Sequence, residues 1–270
     1  MGCLKLTYQP QMQVLRTHEG MPLREAKVMQ MWQSLDPLAE EFMGYSPYNA
    51  MMNNPISFID PDGRFTVNIN GDEAEKATEQ LNASTSLEIT RDSETGKLSA
   101  TGKAKTKKDK ALLKAINDEN ITVNLNATSS NTTANGKDLI LGAFGGNTVN
   151  EDGTITAEAE LNPNQAQIAA DFLEIEAGGF AIHEILESFS AAKKSPGLQA
   201  LTFDDITNNT EKGKAFTKAH KKALRLDKNH VEPVIIGDNT DGTYKIQRMK
   251  AVSGVQGLLP FEKTLFKVKR

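Results

Sequence analysis

Two adjoining stretches constrain this chain most. Thr154–Leu161, TITAEAEL, alternates strictly and sets Ile155, Ala157, Ala159 and Leu161 on one face of a strand. Phe180–Phe189, FAIHEILESF, instead has helical spacing, with Ile182, Ile185, Leu186, Phe189 and Ala192 forming one apolar stripe. A one-faced strand and a one-striped helix each need a partner, and each supplies what the other lacks. The neighbouring segments extend this pattern. A short strand, FTVNI, precedes a helix, DEAEKATEQLN, and a hairpin of LEITRD and LSATGK turns at Glu94-Thr95-Gly96. A lysine-rich helix, TKKDKALLKAIND, turns Leu112, Leu113 and Ile116 toward the core. Strands are expected at ITVNLNA and DLILGAF, and a further helix near residues 211 to 227. A hairpin, PVIIGDNTDGTYKIQRM, and a tail strand, KTLFKVK, end the chain. The expected fold class is α+β with a mixed or antiparallel sheet.

Bulk properties exclude several functions. The 270 residues are 38% apolar, enough for a sizeable core. A formal charge of −4 gives no global attraction to nucleic acid, and nucleic acid is not the expected partner. Cys3 is the single cysteine, so neither an internal disulfide nor a thiolate cluster is available. No apolar run is long enough for a membrane span, and the N-terminus lacks the basic-then-apolar pattern of a signal peptide.

Residues 1–63 differ in character from the rest. They hold eight of the nine methionines and the single Trp, and they end in a turn-dense run. Asp36-Pro37-Leu38-Ala39, Ser46-Pro47-Tyr48-Asn49, Asn53-Asn54-Pro55 and Asp60-Pro61-Asp62-Gly63 punctuate short apolar pieces, leaving no room for a long helix or strand. In this order the four sub-motifs resemble the closing end of an RHS-repeat-associated core domain. MGCLKLTY and REAKVMQMWQSLDPLAEE are similar to the leader of short bacterial RHS fragments. The resemblance implies two domains: an RHS core C-terminal fragment at 1–63, and toxin-type cargo at 64–270. It also implies a bacterial protein, held in the cytoplasm until a dedicated system delivers it, with an RHS shell or delivery machinery and a cognate immunity protein as partners.

The helix at 180–189 carries the candidate chemistry. His183 and Glu187, four residues apart, lie on one helical face and can grip one ion between them. Zinc accepts imidazole nitrogen and carboxylate oxygen, and catalytic sites use three protein ligands. His220, beside the stripe Phe216, Ala219, Ala223 and Leu226 of the later helix, is the expected third ligand. His230 competes for that place from a loop, whereas His18 belongs to the RHS fragment. Glu184, next to His183, stands where zinc proteases place the base that activates metal-bound water. Cargo of this kind resembles zincin-like metallopeptidase domains, with His183-Glu184 on the active-site helix. The departure is Glu187, where that pattern has a second His.

Three functions follow. The leading one is a zinc-dependent peptidase acting on a protein or peptide, with strand Thr154–Leu161 offering an edge to the extended substrate. A nuclease toxin would use His220, Asn229 and His230 within the basic run KAHKKALRLDKNH. A non-catalytic degenerated toxin or interaction module would carry His183 and Glu187 as a solvated surface pair.

Overall fold

The computed structural model describes residues 67–227, 233–238, 242–251 and 258–267. The RHS-like segment 1–63 lies outside them, as do Asn229 and His230.

Four strands build the principal sheet: β1 (Val67–Asn70), β4 (Ile121–Ala127), β5 (Gly142–Val149) and β6 (Ile155–Leu161). Their order is β1-β4-β6-β5. β1, β4 and β6 are parallel, and β5 runs antiparallel to β6. The sheet is therefore mixed, and the α+β class expected from sequence is the one found. β2 (Glu88–Arg91) and β3 (Leu98–Thr101) form the hairpin read from sequence. β7 (Val234–Asp238), β8 (Thr243–Ala251) and β9 (Leu258–Lys267) form a separate antiparallel meander.

The alternation in β6 is realised in the core. Ala157, Ala159 and Leu161 are at most 1% exposed, while the intervening Glu158 faces solvent. They share one core with Val123 and Leu125 of β4 and with Ile182, Ile185 and Leu186 of α4 (Gly178–Lys194). α4 packs across β4, β5 and β6 and touches α1 (Ala74–Ala83), α2 (Lys107–Ile116) and α6 (Glu211–Leu226). It is the helix around which the molecule is assembled.

Two expectations need correction. Only the last three residues of DLILGAF, Gly142-Ala143-Phe144, lie in the strand. Asp138 makes an isolated bridge to Thr132, and β5 begins at Gly142 and continues to Val149. Leu139 is buried without being in a strand. In addition, β6 is an interior strand, with β4 on one side and β5 on the other, so it offers no edge. The open edge on that side belongs to β5.

Two helices were not anticipated. α3 (Pro163–Leu173) starts from an Asn162 cap, whose side chain accepts from the Asn164 and Gln165 amides, with Pro163 at the first helical position. α5 (Phe203–Thr207) is a single short turn before α6. α6 is tied down at its far end, where Lys108 of α2 meets Asp227 at 3.2 Å. Ile246, Leu265 and Phe266 of the meander join the main core.

Candidate metal centre

α4 and α6 bring three donor side chains together. His183 Nε2 lies 3.1 Å from His220 Nδ1 and 3.4 Å from Glu187 Oε2. His220 Nδ1 and the same Glu187 oxygen are in direct contact. Among the described residues, His183, Glu187 and His220 form a group that could hold a metal ion. His183, Glu187 and His220, the residues singled out in the sequence, are therefore neighbours in the fold.

The local sequence explains the convergence. The stripe that buries α4 places His183 and Glu187 one turn apart at its margin, 8% and 3% exposed. A solvated surface pair would not be so enclosed. On α6, Ala219 and Ala223 are small enough for the helix to seat closely, and both are buried. His220 follows Ala219 at the margin of that contact, with its side chain 30% exposed. Its ring stacks on Phe216, one turn earlier, at 5.8 Å between centroids and 23° between planes. Phe216 in turn meets Phe144 of β5 at 5.6 Å. The two imidazoles meet edge to face, 4.8 Å apart and inclined at 77°.

Two edges of this triangle meet hydrogen-bond geometry, His183 Nε2 with His220 Nδ1 and His220 Nδ1 with Glu187 Oε2, so protons can serve them. Donors held about 2.1 Å from one tetrahedral ion stand roughly 3.4 Å apart, close to the two measured separations. The His220–Glu187 contact is shorter and would have to open to admit an ion. The donor types suit a cation.

Electrostatics separates the two glutamates. Burial pushes the Glu187 carboxyl upward, but hydrogen bonds to His183 and His220 and their charges outweigh it, and the net shift is downward. Glu184 goes well above the ordinary carboxylate range, first because it is desolvated and then because Glu187 is charged nearby. Its Oε2 is enclosed without a hydrogen-bond partner among the described residues. The carboxylate fits beneath β5 only because position 142 is glycine. A Cβ at Gly142 would stand 2.3 Å from Glu184 Oε1.

The sequence reading missed Phe216 and Phe144 as supports of the site, and Gly142 as its roof. Phe216 could have been found from its spacing, since it precedes His220 by four residues. Phe144 and Gly142 carry no local signal, because their role depends on how β5 pairs.

Comparison of the chain with protein-family models, curated proteins and solved structures returned no match. No described helix is long and apolar enough to cross a membrane.

Proposed function

We propose that the chain is a zinc-dependent peptidase, the cargo of an RHS-type polymorphic toxin, with His183, Glu187 and His220 as metal ligands. The convergence of these three donors at one point carries the reading. An imidazole–imidazole–carboxylate set suits zinc, and the RHS-like motifs before Gly63 support the cargo assignment. Bound there, zinc supplies Lewis acidity, which acidifies water and polarises a carbonyl oxygen.

The chain's own residues supply the rest. Glu184 is the general base: its carboxylate takes a proton from the attacking water and returns it to the amine released from the broken amide bond. As raised here, the Glu184 carboxyl holds its proton, and it can accept one only when a cation at the triad counters the Glu187 charge and draws it back toward the ionised form. Glu187 differs in role, since its carboxylate is already stabilised in the charged state. The free part of the β5 edge passes directly over Glu184 and can receive an extended peptide as an added strand.

The test is metal content and turnover of the full chain loaded with zinc. The expected result is one bound zinc per chain and cleavage of denatured protein, with nucleic acid left intact. Glu184→Gln should keep the zinc and lose turnover. Glu187→Ala should lose the zinc. A parent protein that binds no zinc, or equal occupancy in both variants, overturns the assignment and leaves the interaction-module reading. Degradation of nucleic acid in place of protein favours the nuclease.

A further inference from the structure

The outer edge of β5 is not open along its whole length. From Gly142 to Gly145 no described segment pairs with it. Beyond that point, Ser195–Gln199 lies against the edge as a strap. Gly146 forms an antiparallel bridge with Gln199, and the Asn147 amide donates to Leu198 C=O at 2.7 Å.

The strap is firmly seated. The Asn147 side chain is 2% exposed. Its Oδ1 accepts from the Gly197 and Leu198 amides at 2.6 and 3.2 Å, and its Nδ2 donates to Ser195 C=O at 3.3 Å. Gly146 has φ +106°, and a Cβ there would stand 2.8 Å from the Ala200 amide nitrogen. The strand and strap are therefore packed backbone to backbone.

The reactive groups lie under the open part. Glu184 sits beneath Gly142, and Phe144 reaches Phe216, on which His220 stacks. β5 runs in the same sense as α4: Gly142 lies over Glu184, and Phe144 shares a cluster with Ala191, two turns further on. Antiparallel addition is the stronger pairing for an incoming strand. In that sense, the amino-terminal side of the peptide points at the strap, and only a few residues fit before it.

We infer that this site takes the amino-terminal end of a peptide chain, and that the strap excludes substrates extended on that side. This rests on the peptidase reading above. Asn147 is a positioning residue: it touches no substrate but holds the strap in place.

Binding of peptides to the zinc-loaded full chain carrying Glu184→Gln tests the inference. The probes are a random tetrapeptide pool and the same pool with a Gly/Ser tail at its amino end or its carboxyl end. Equilibrium dialysis read by mass spectrometry gives the retained fraction. The amino-tailed pool should bind about tenfold more weakly than the untailed pool, with the carboxyl-tailed pool unchanged. Adding Asn147→Ala should restore the amino-tailed pool. Equal binding of both tailed pools overturns the inference while the peptidase reading stands, and exclusion of the carboxyl-tailed pool overturns its direction. If no pool binds, the peptidase reading itself falls. An Asn147→Ala protein that still excludes the amino tail removes Asn147 from its role. Should that variant not fold, the tailed-pool comparison in the parent background decides alone.

Discussion

α4 and α6 contribute to one site from opposite structural circumstances. α4 buries fourteen of its seventeen residues, whereas α6 fully buries three of sixteen. The first is a core element that carries two donors. The second is a surface helix that carries one, held by two alanines, an aromatic stack and the ion pair at its end. The site thus has a fixed jaw and an adjustable one. A metal ion joining them would stabilise mainly the adjustable jaw, because the fixed one is already held by the core.

The sharpest way to break this contrast is to hollow out each helix in turn. Ile185→Ala should cost about 2–5 kcal/mol, since the side chain is completely buried in the main core. Leu226→Ala, at a half-buried position of α6, should cost roughly 1 kcal/mol. Urea denaturation would measure both, and equal losses would show that the two helices are not so different.

Chelation sharpens it further. Hydrogen exchange in the full chain, with and without zinc, should change in α6 and stay nearly constant in α4. At about a hundredfold excess of ligand over its Kd, linkage protects the native state by ~2.7 kcal/mol. Protection rising equally along both helices would contradict the picture of one adjustable jaw.

Gly142→Ala tests the roof over the fixed jaw. The added Cβ meets the end of the part-exposed Glu184 side chain, which must swing aside, so a cost of about 1 kcal/mol is expected. Loss of turnover should accompany it, with zinc content retained. Unchanged turnover would separate Glu184 from the strand above it.

The smallest effect concerns pH on the α6 side. The Thr202 amide and hydroxyl and the Thr210 hydroxyl hold the Asp205 carboxyl down, to about 2 from an ordinary 3.8. The same Thr210 caps α6 by accepting from the Gly213 amide. Because the folded value is depressed, the unfolded chain binds the proton first as pH falls. Asp205 therefore contributes stability above pH 3.8 that is lost as pH drops toward 2. Asp205→Asn should flatten that acid-side slope without altering α4, as a pH series of thermal melts would reveal.

The residues of the triad were legible because each sits on a helix whose register is visible locally. His183 and Glu187 share a face by spacing alone, and Ala219 and Ala223 mark the side on which His220 stands. The burial of Glu187 was not legible, since it depends on α6 and the sheet closing over that face. β5 was misplaced because GAFGGNTV has the glycines of a loop, and it becomes a strand only by pairing with β6. α3 escaped notice for another reason: its buried face is mostly alanine, which gives a faint apolar stripe, although Asn162-Pro163 announced its start. The identity of the edge strand is a property of sheet order, and no single segment contains it.

The two glutamates also set a charge balance. Glu187 is the ionised one, while Glu184, raised well above the ordinary carboxylate range, holds its proton. With neutral imidazoles the centre then carries one negative charge. A divalent cation would leave one positive charge there, which loss of the Glu184 proton would cancel without a counter-ion from solvent. A monovalent cation would balance Glu187 alone and leave Glu184 protonated. With a histidine at position 187, loss of the Glu184 proton would still leave a divalent centre one charge positive. A carboxylate at 187 thus couples the charge of any ion held at the triad to the protonation of the neighbouring glutamate.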